Sequence, residues 1–126
     1  MEKRIIQTEL APEPIGPYSQ AVRSGAMLFV SGQIALMPGT GVLNNPDITT
    51  ETRQVMENIS AILQTAGLTF EHVVKTTIFL SDMAHFAAVN QVYGTYFSGN
   101  YPARETVAVL GLPRQVNVEI SIVAAG

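Results

Sequence analysis

The sequence predicts an α+β fold, a two-layer domain in which a mixed six-stranded sheet carries two helices on one face. Three observations predict it. Six short segments rich in Val, Ile, Thr and Phe, bounded by Gly, Pro, Asn and Ser, read as strands. Two longer segments repeat apolar residues at three- and four-residue steps, as helices with one buried side do. Their order along the chain is β-β-β-α-β-α-β-β, and two helices can cover only one face of such a sheet. The other face is therefore expected to meet another copy of the chain. At 126 residues the chain is expected to form one domain, residues 1–126.

The first strand is expected from Arg4 to Thr8. The second, Ser19 to Arg23, and the third, Met27 to Ser31, are joined by a hairpin turn at Ser24-Gly25. Gly39-Thr40-Gly41 reads as a turn, because the lysine and helix context of a phosphate-binding loop are missing. Asn45-Pro46 reads as another. The first helix places Val55, Met56, Ile59, Ile62, Leu63 and Ala66 on one face, with Arg53, Gln54, Glu57 and Gln64 elsewhere. Thr49 or Thr50 can cap its start, Glu51 suits the positive end of the helix dipole, and Gly67 can supply a left-handed C-terminal cap. The fourth strand, Val73 to Leu80, alternates between Val74, Thr76, Ile78, Leu80 and Val73, Lys75, Thr77, Phe79, so both of its faces are partly apolar. The second helix begins after Ser81-Asp82, carries Phe86, Val89, Tyr93, Tyr96 and Phe97, and is expected to end near Ser98-Gly99-Asn100. The fifth strand, Glu105 to Leu110, and the sixth, Val116 to Ala124, are joined by the turn Leu112-Pro113-Arg114-Gln115.

Composition removes several functions. Hydrophobic residues make up 47% and charged residues 13%, the latter about half the usual share, which again favours burial in a homo-oligomer. The net charge is −3, and the seven Lys and Arg residues are scattered, so no basic stripe awaits a nucleic acid. Cysteine is absent, which excludes disulfides, zinc thiolate sites and thiol nucleophiles. The N-terminal residues carry no apolar leader, and no run approaches the roughly 18 apolar residues of a membrane span. A soluble cytoplasmic protein with no membrane partner is expected.

Two charges interrupt the apolar strands. Arg104 opens the fifth, and Glu119 sits inside the sixth. In the sixth strand Val116, Val118, Ile120 and Ile122 alternate toward the helices, which turns Glu119, with Asn117 and Ser121, to the opposite, intersubunit face. Each charge taken alone reads as an exposed surface group, but both fall on strands read as adjacent and joined by a short turn. Tyr101 and Pro102 stiffen the approach to Arg104, whose planar fork can bind a carboxylate bidentately. A nearby carboxylate could orient or activate a water. Small organic acids are the ligand class this suggests. His72 and His85 lack metal-ligand spacing, Tyr93 and Tyr96 read as packing residues, and Ser19 and Ser31 lack a His and Asp arrangement.

Five segments in order, Gly16-Pro17-Tyr18-Ser19-Gln20-Ala21, Phe29-Val30-Ser31-Gly32-Gln33-Ile34, Val74-Lys75-Thr76-Thr77-Ile78-Phe79-Leu80, Tyr101-Pro102-Ala103-Arg104 and Val116-Asn117-Val118-Glu119-Ile120, span nearly the whole chain. Together they resemble the successive signatures of the Rid family, the YjgF-like reactive-imine deaminases. The resemblance implies a chorismate-mutase-like homotrimer with clefts between subunits. It implies that Arg104 grips a substrate carboxylate and that Glu119 places or activates water. Tyr18, Ser31 and Asn90 would line the cleft, and Gly32 would let backbone approach the ligand. The implied reaction is hydrolysis of 2-iminobutanoate or 2-iminopropanoate to the 2-oxo acid and ammonia, with no cofactor. Many members of the deaminase branch carry a cysteine two residues after the arginine, where this chain has Thr106. The backbone amide of Thr106 can still donate to a bound carboxylate, so the position stays in the binding set. Three readings remain open: an imine deaminase, a trimer that binds 2-oxo acids without turnover, and, last because the acidic charge balance offers phosphates little, an endoribonuclease.

Overall fold

A computed structural model of the chain describes residues 2–126. Six strands, β1 (Lys3–Ile6), β2 (Ala21–Ser24), β3 (Met27–Gln33), β4 (Val73–Leu80), β5 (Ala103–Ala108) and β6 (Val118–Ala125), and two helices, α1 (Ile48–Thr65) and α2 (Phe86–Gly94), follow one another in the expected order. The strands form one mixed sheet, β1-β2-β3-β6-β4-β5. Its pairs are antiparallel except β4 with β5, which are parallel because α2 carries the chain back along the sheet between them. Arg104 and Glu119 are therefore not on adjacent strands, as expected from sequence; β4 lies between them.

Local chemistry accounts for the element ends. Thr8 lies beyond β1 because the Gln20 side chain takes over its backbone, accepting from its N–H at 2.8 Å and donating to its carbonyl at 2.9 Å. Asp47, not Thr49 or Thr50, caps α1, its Oδ1 accepting from the Thr50 N–H at 2.7 Å. Gly67, at φ +77°, ends α1 as expected: its N–H bonds the Gln64 carbonyl at 2.9 Å and the Leu68 N–H bonds that of Leu63 at 2.9 Å. α2 stops at Gly94, short of the expected end. There the N–H groups of Tyr96 and Phe97 turn back to the carbonyls of Tyr93 and Gly94 at 3.1 and 3.3 Å, and both rings leave the helix to pack on Phe70. Arg104 lies within β5 rather than at its opening.

The core lies between the sheet and the helices. Leu28, Ile78, Leu80, Val118 and Ile120 are fully buried beneath Val55, Met56, Ile59, Ile62 and Val89. A bulge reverses one expectation: β4 pairs Val73 with Ala124 but Lys75 with Val123, so Val73 joins the core and Val74 is pushed to the open face. No helix covers that face. Ile5, Val22, Phe29 and Val123 form one cross-strand row on it, with Ile5 and Phe29 about half exposed. Among the described residues no helix is long and apolar enough to cross a membrane.

Candidate active site

Glu119 stands opposite Phe79 in the β6–β4 ladder, on the open face. It lines a cleft of about 280 Å³ with Ile15, Tyr18, Ser31, Gly32, Ile34 and Pro113. The cleft wall is the proline-rich strap between β1 and β2, and Gln20 fixes it. The buried amide of Gln20 also donates to the carbonyls of Ala11 and Pro12. Ser31 ties β3 to the strap: its hydroxyl donates to the Ser19 carbonyl at 2.6 Å and its N–H to the Gln20 carbonyl at 3.0 Å. The Tyr18 hydroxyl accepts from the Ile15 N–H at 3.1 Å, leaving the ring facing the cleft.

The Glu119 carboxylate has no hydrogen bond or ion pair with the described residues, and burial alone holds its pKa above the ordinary value. Gly32 explains how it fits. A Cβ at Gly32 would overlap Glu119 Oε2 and stand 2.9 Å from Cδ, so a side chain there would displace the carboxylate. The bulge in β3 between Val30 and Gln33 brings this glycine over β6. Beyond the expected approach of backbone to a ligand, the missing side chain of Gly32 makes room for Glu119.

Asn117, expected beside Glu119, precedes β6 and turns the other way. Its N–H and Nδ2 donate to the two oxygens of the buried Glu51 carboxylate at 2.8 and 2.9 Å, and its Oδ1 accepts from the Ser81 hydroxyl at 3.1 Å. Glu51 thus anchors the entry to β6 on the first turn of α1.

Arg104 occupies a different place. It pairs with Thr76 of β4, whose side chain is buried in the helix-side core, so Arg104 emerges on that side. A second cleft of about 280 Å³ surrounds it, lined by Asn90, Tyr93, Gly94, Tyr101 and Pro102. Its guanidinium carbon lies 5.1 Å from the Tyr93 ring centroid and 5.8 Å from that of Phe86. The guanidinium makes no hydrogen bond or ion pair with the described residues. Glu105, its neighbour in sequence, points to the opposite face, where Lys75 holds it at 2.9 Å and Thr77 donates to it. Those two partners, Thr77 foremost, keep the Glu105 carboxyl below its ordinary value. Thr106 shares the Arg104 face of β5, and its buried hydroxyl has no hydrogen-bond partner.

The predicted residues thus fall into two clefts. Tyr18, Ser31, Gly32 and Glu119 share one, while Asn90 and Arg104 share the other, with Thr106 on the same side of the sheet as Arg104. Within one chain they do not meet. Tyr93, read from sequence as packing, is a wall of the Arg104 cleft; its helical spacing of three from Asn90 carried that signal. His72 is confined to local capping, its Nδ1 accepting from the Thr69 N–H at 3.0 Å. No group of three or more His, Asp or Glu among the described residues could hold a metal ion.

Comparison with known proteins adds an independent line. Residues 8–126 match the family model described as endoribonuclease L-PSP. A RutC family protein of Pyrococcus horikoshii is 50% identical over 122 residues, covering 97% of each chain. A Mus musculus protein named 2-iminobutanoate/2-iminopropanoate deaminase is 44% identical over 122 residues, covering 97% of this chain and 90% of that one. The crystal structure of a conserved Rid family protein of unknown function from Yersinia pestis superposes with a TM-score of 0.96 at 46% identity, over 99% of this chain and all of the other.

Proposed function

This chain belongs to the endoribonuclease L-PSP family, the Rid (YjgF-like) family, and from that premise we propose that it is a deaminase. Its substrates are 2-imino acids such as 2-iminobutanoate and 2-iminopropanoate, and its products the 2-oxo acid and ammonia. The observation that carries the reading is the pair of unpartnered charges, Arg104 and Glu119, each at the wall of its own cleft. The name of the mouse relative supports the reaction class.

The uncovered sheet face and the split between clefts support an assembly in which the Arg104 cleft of one subunit closes on the Glu119 cleft of the next, in a homotrimer. Arg104 then grips the substrate carboxylate through paired N–H groups. Glu119 takes a proton from water as the new C–O bond forms at the imine carbon and passes it to nitrogen, then takes the remaining hydroxyl proton of the carbinolamine as the C=O bond forms and the C–N bond breaks, and gives it to the departing ammonia. A carboxyl raised by burial suits both legs of that transfer. Tyr18, Ser31 and Asn90 line the closed site, and the Thr106 amide adds a donor to the carboxylate. The iminium carbon is strongly electrophilic, so positioning and one proton relay suffice.

The test is ammonia or 2-oxo acid release from freshly generated 2-aminoacrylate, with and without the protein. Acceleration supports the proposal; saturable binding of 2-oxobutanoate with no acceleration contradicts it and favours a binding protein. Gly32→Ala supplies a second check: because the atoms it meets are the end of a flexible side chain, the fold survives while Glu119 swings away. Turnover in that variant is expected to fall about 10²-fold, toward the level without a base, with an unchanged unfolding transition. The word endoribonuclease in the family description names another reaction, but a net charge of −3 gives an RNA backbone little to bind. RNA cleavage that survives rigorous purification and disappears in Glu119→Gln would reverse that ranking.

A further inference from the structure

We propose that Tyr93 is a positioning residue for Arg104: its ring, with that of Phe86, holds the guanidinium by its π faces and leaves the N–H fork free for a carboxylate. This rests on the deaminase reading for its consequence in turnover, though the clamp itself does not. An arginine is usually held in place by spending its donors on acceptors. Here no described residue accepts from the Arg104 guanidinium, yet its carbon sits 5.1 Å from one ring centroid and 5.8 Å from another. Those distances are within the range of a cation–π contact.

The ring is itself fixed against the strand that orients Arg104. The Tyr93 hydroxyl donates to Thr76 Oγ1 at 2.8 Å in the buried interior, and Thr76 is the direct cross-strand partner of Arg104. Phe97 packs against the phenol at a centroid distance of 4.8 Å. Thr76, Tyr93 and Arg104 thus form one unit joining β4, α2 and β5, so the fork is aimed by packing while all of its hydrogen bonds remain for the ligand. A long side chain arriving pre-ordered loses less entropy on binding.

The experiment has two readings. The first is relaxation of the Arg104 Nε–H group by NMR, which needs no ligand: it is ordered in the parent and becomes mobile in Tyr93→Leu. The second is affinity for 2-oxobutanoate and KM for the imine, which weaken about five- to thirty-fold in Tyr93→Leu as the cation–π contact is lost, with kcat changed far less. Tyr93→Phe keeps the ring and restores both to within about threefold of the parent, as a ring-based role requires. Phe86 is 36% exposed, so Phe86→Leu folds and shows the same direction of change even if Tyr93→Leu does not fold. An Arg104 Nε–H as ordered in both ring variants as in the parent overturns the inference. Arg104→Ala separates it from the wider reading: if that variant binds 2-oxobutanoate like the parent, the site assignment fails; if it loses binding while the ring variants keep it, only the positioning role fails.

Discussion

Arg104→Ala is expected to lower kcat/KM for 2-iminobutanoate by about 10²–10⁴-fold, the worth of two charge-assisted hydrogen bonds at about 1.5–3 kcal/mol each. Most of the loss falls on KM, since the substrate carboxylate is the same in the ground and transition states. Arg104→Lys recovers little of it, because an ammonium cannot reproduce the fork. The fold is barely affected: Arg104 anchors no backbone and leaves no described polar group unpaired when removed. Steady-state kinetics on imines generated in the assay, alongside a thermal unfolding curve, read both effects. A variant with parental kcat/KM contradicts the carboxylate-clamp role.

Glu119→Gln moves activity and stability in opposite directions. The variant loses the proton acceptor, so kcat falls about 10²–10⁴-fold. Its stability at neutral pH rises, because Glu119 is half-buried without a partner and burial pushes its carboxyl above the ordinary 4.5. A folded-state value above the unfolded one means that the protonated form is the favoured one. The stabilisation associated with it is complete below about pH 4.5 and is lost as pH rises through the raised folded value. The amide is neutral throughout, so parent and variant unfold alike below about pH 4.5 and diverge above it in favour of Gln. Denaturant unfolding between pH 4 and 8 reads the difference. A variant less stable than the parent at pH 7 would show that Glu119 has a stabilising partner.

Much of this architecture is legible in the sequence where a single period decides. The two-residue alternation of Val118, Ile120 and Ile122 sends Glu119 to the face away from the helices. The one-sided run from Val55 to Leu63 makes α1, and Gly67 stops it. What depends on an insertion or a crossover is not legible. The bulge at Val74 exchanges two neighbours between faces with no composition signal. Sequential strands pair by default, so nothing in the turn after β5 announces that the chain passes over β4 to reach β6. Gly32 reads as a permissive glycine, but the carboxylate that requires it lies on another strand. Asn117 follows the strand period on paper, and only the buried Glu51 shows why it turns inward.

The same limit applies to the site. Family signatures point to Tyr18, Ser31, Gly32, Asn90, Arg104, Thr106 and Glu119 as one constellation, whereas a single chain divides them between the two sides of its sheet, with Tyr18, Ser31, Gly32 and Glu119 in one cleft and Asn90 and Arg104 in the other. Turnover therefore depends on whether two copies of the chain complete each other. Arg104→Ala and Glu119→Gln, each expected to lose at least about 10²-fold in kcat/KM alone, are denatured together in equal amounts and refolded. If every site takes its arginine from one subunit and its glutamate from another, random assembly regenerates about a quarter of the parental sites, and about a quarter of the activity returns. A mixture no more active than the two variants assayed separately contradicts the shared site.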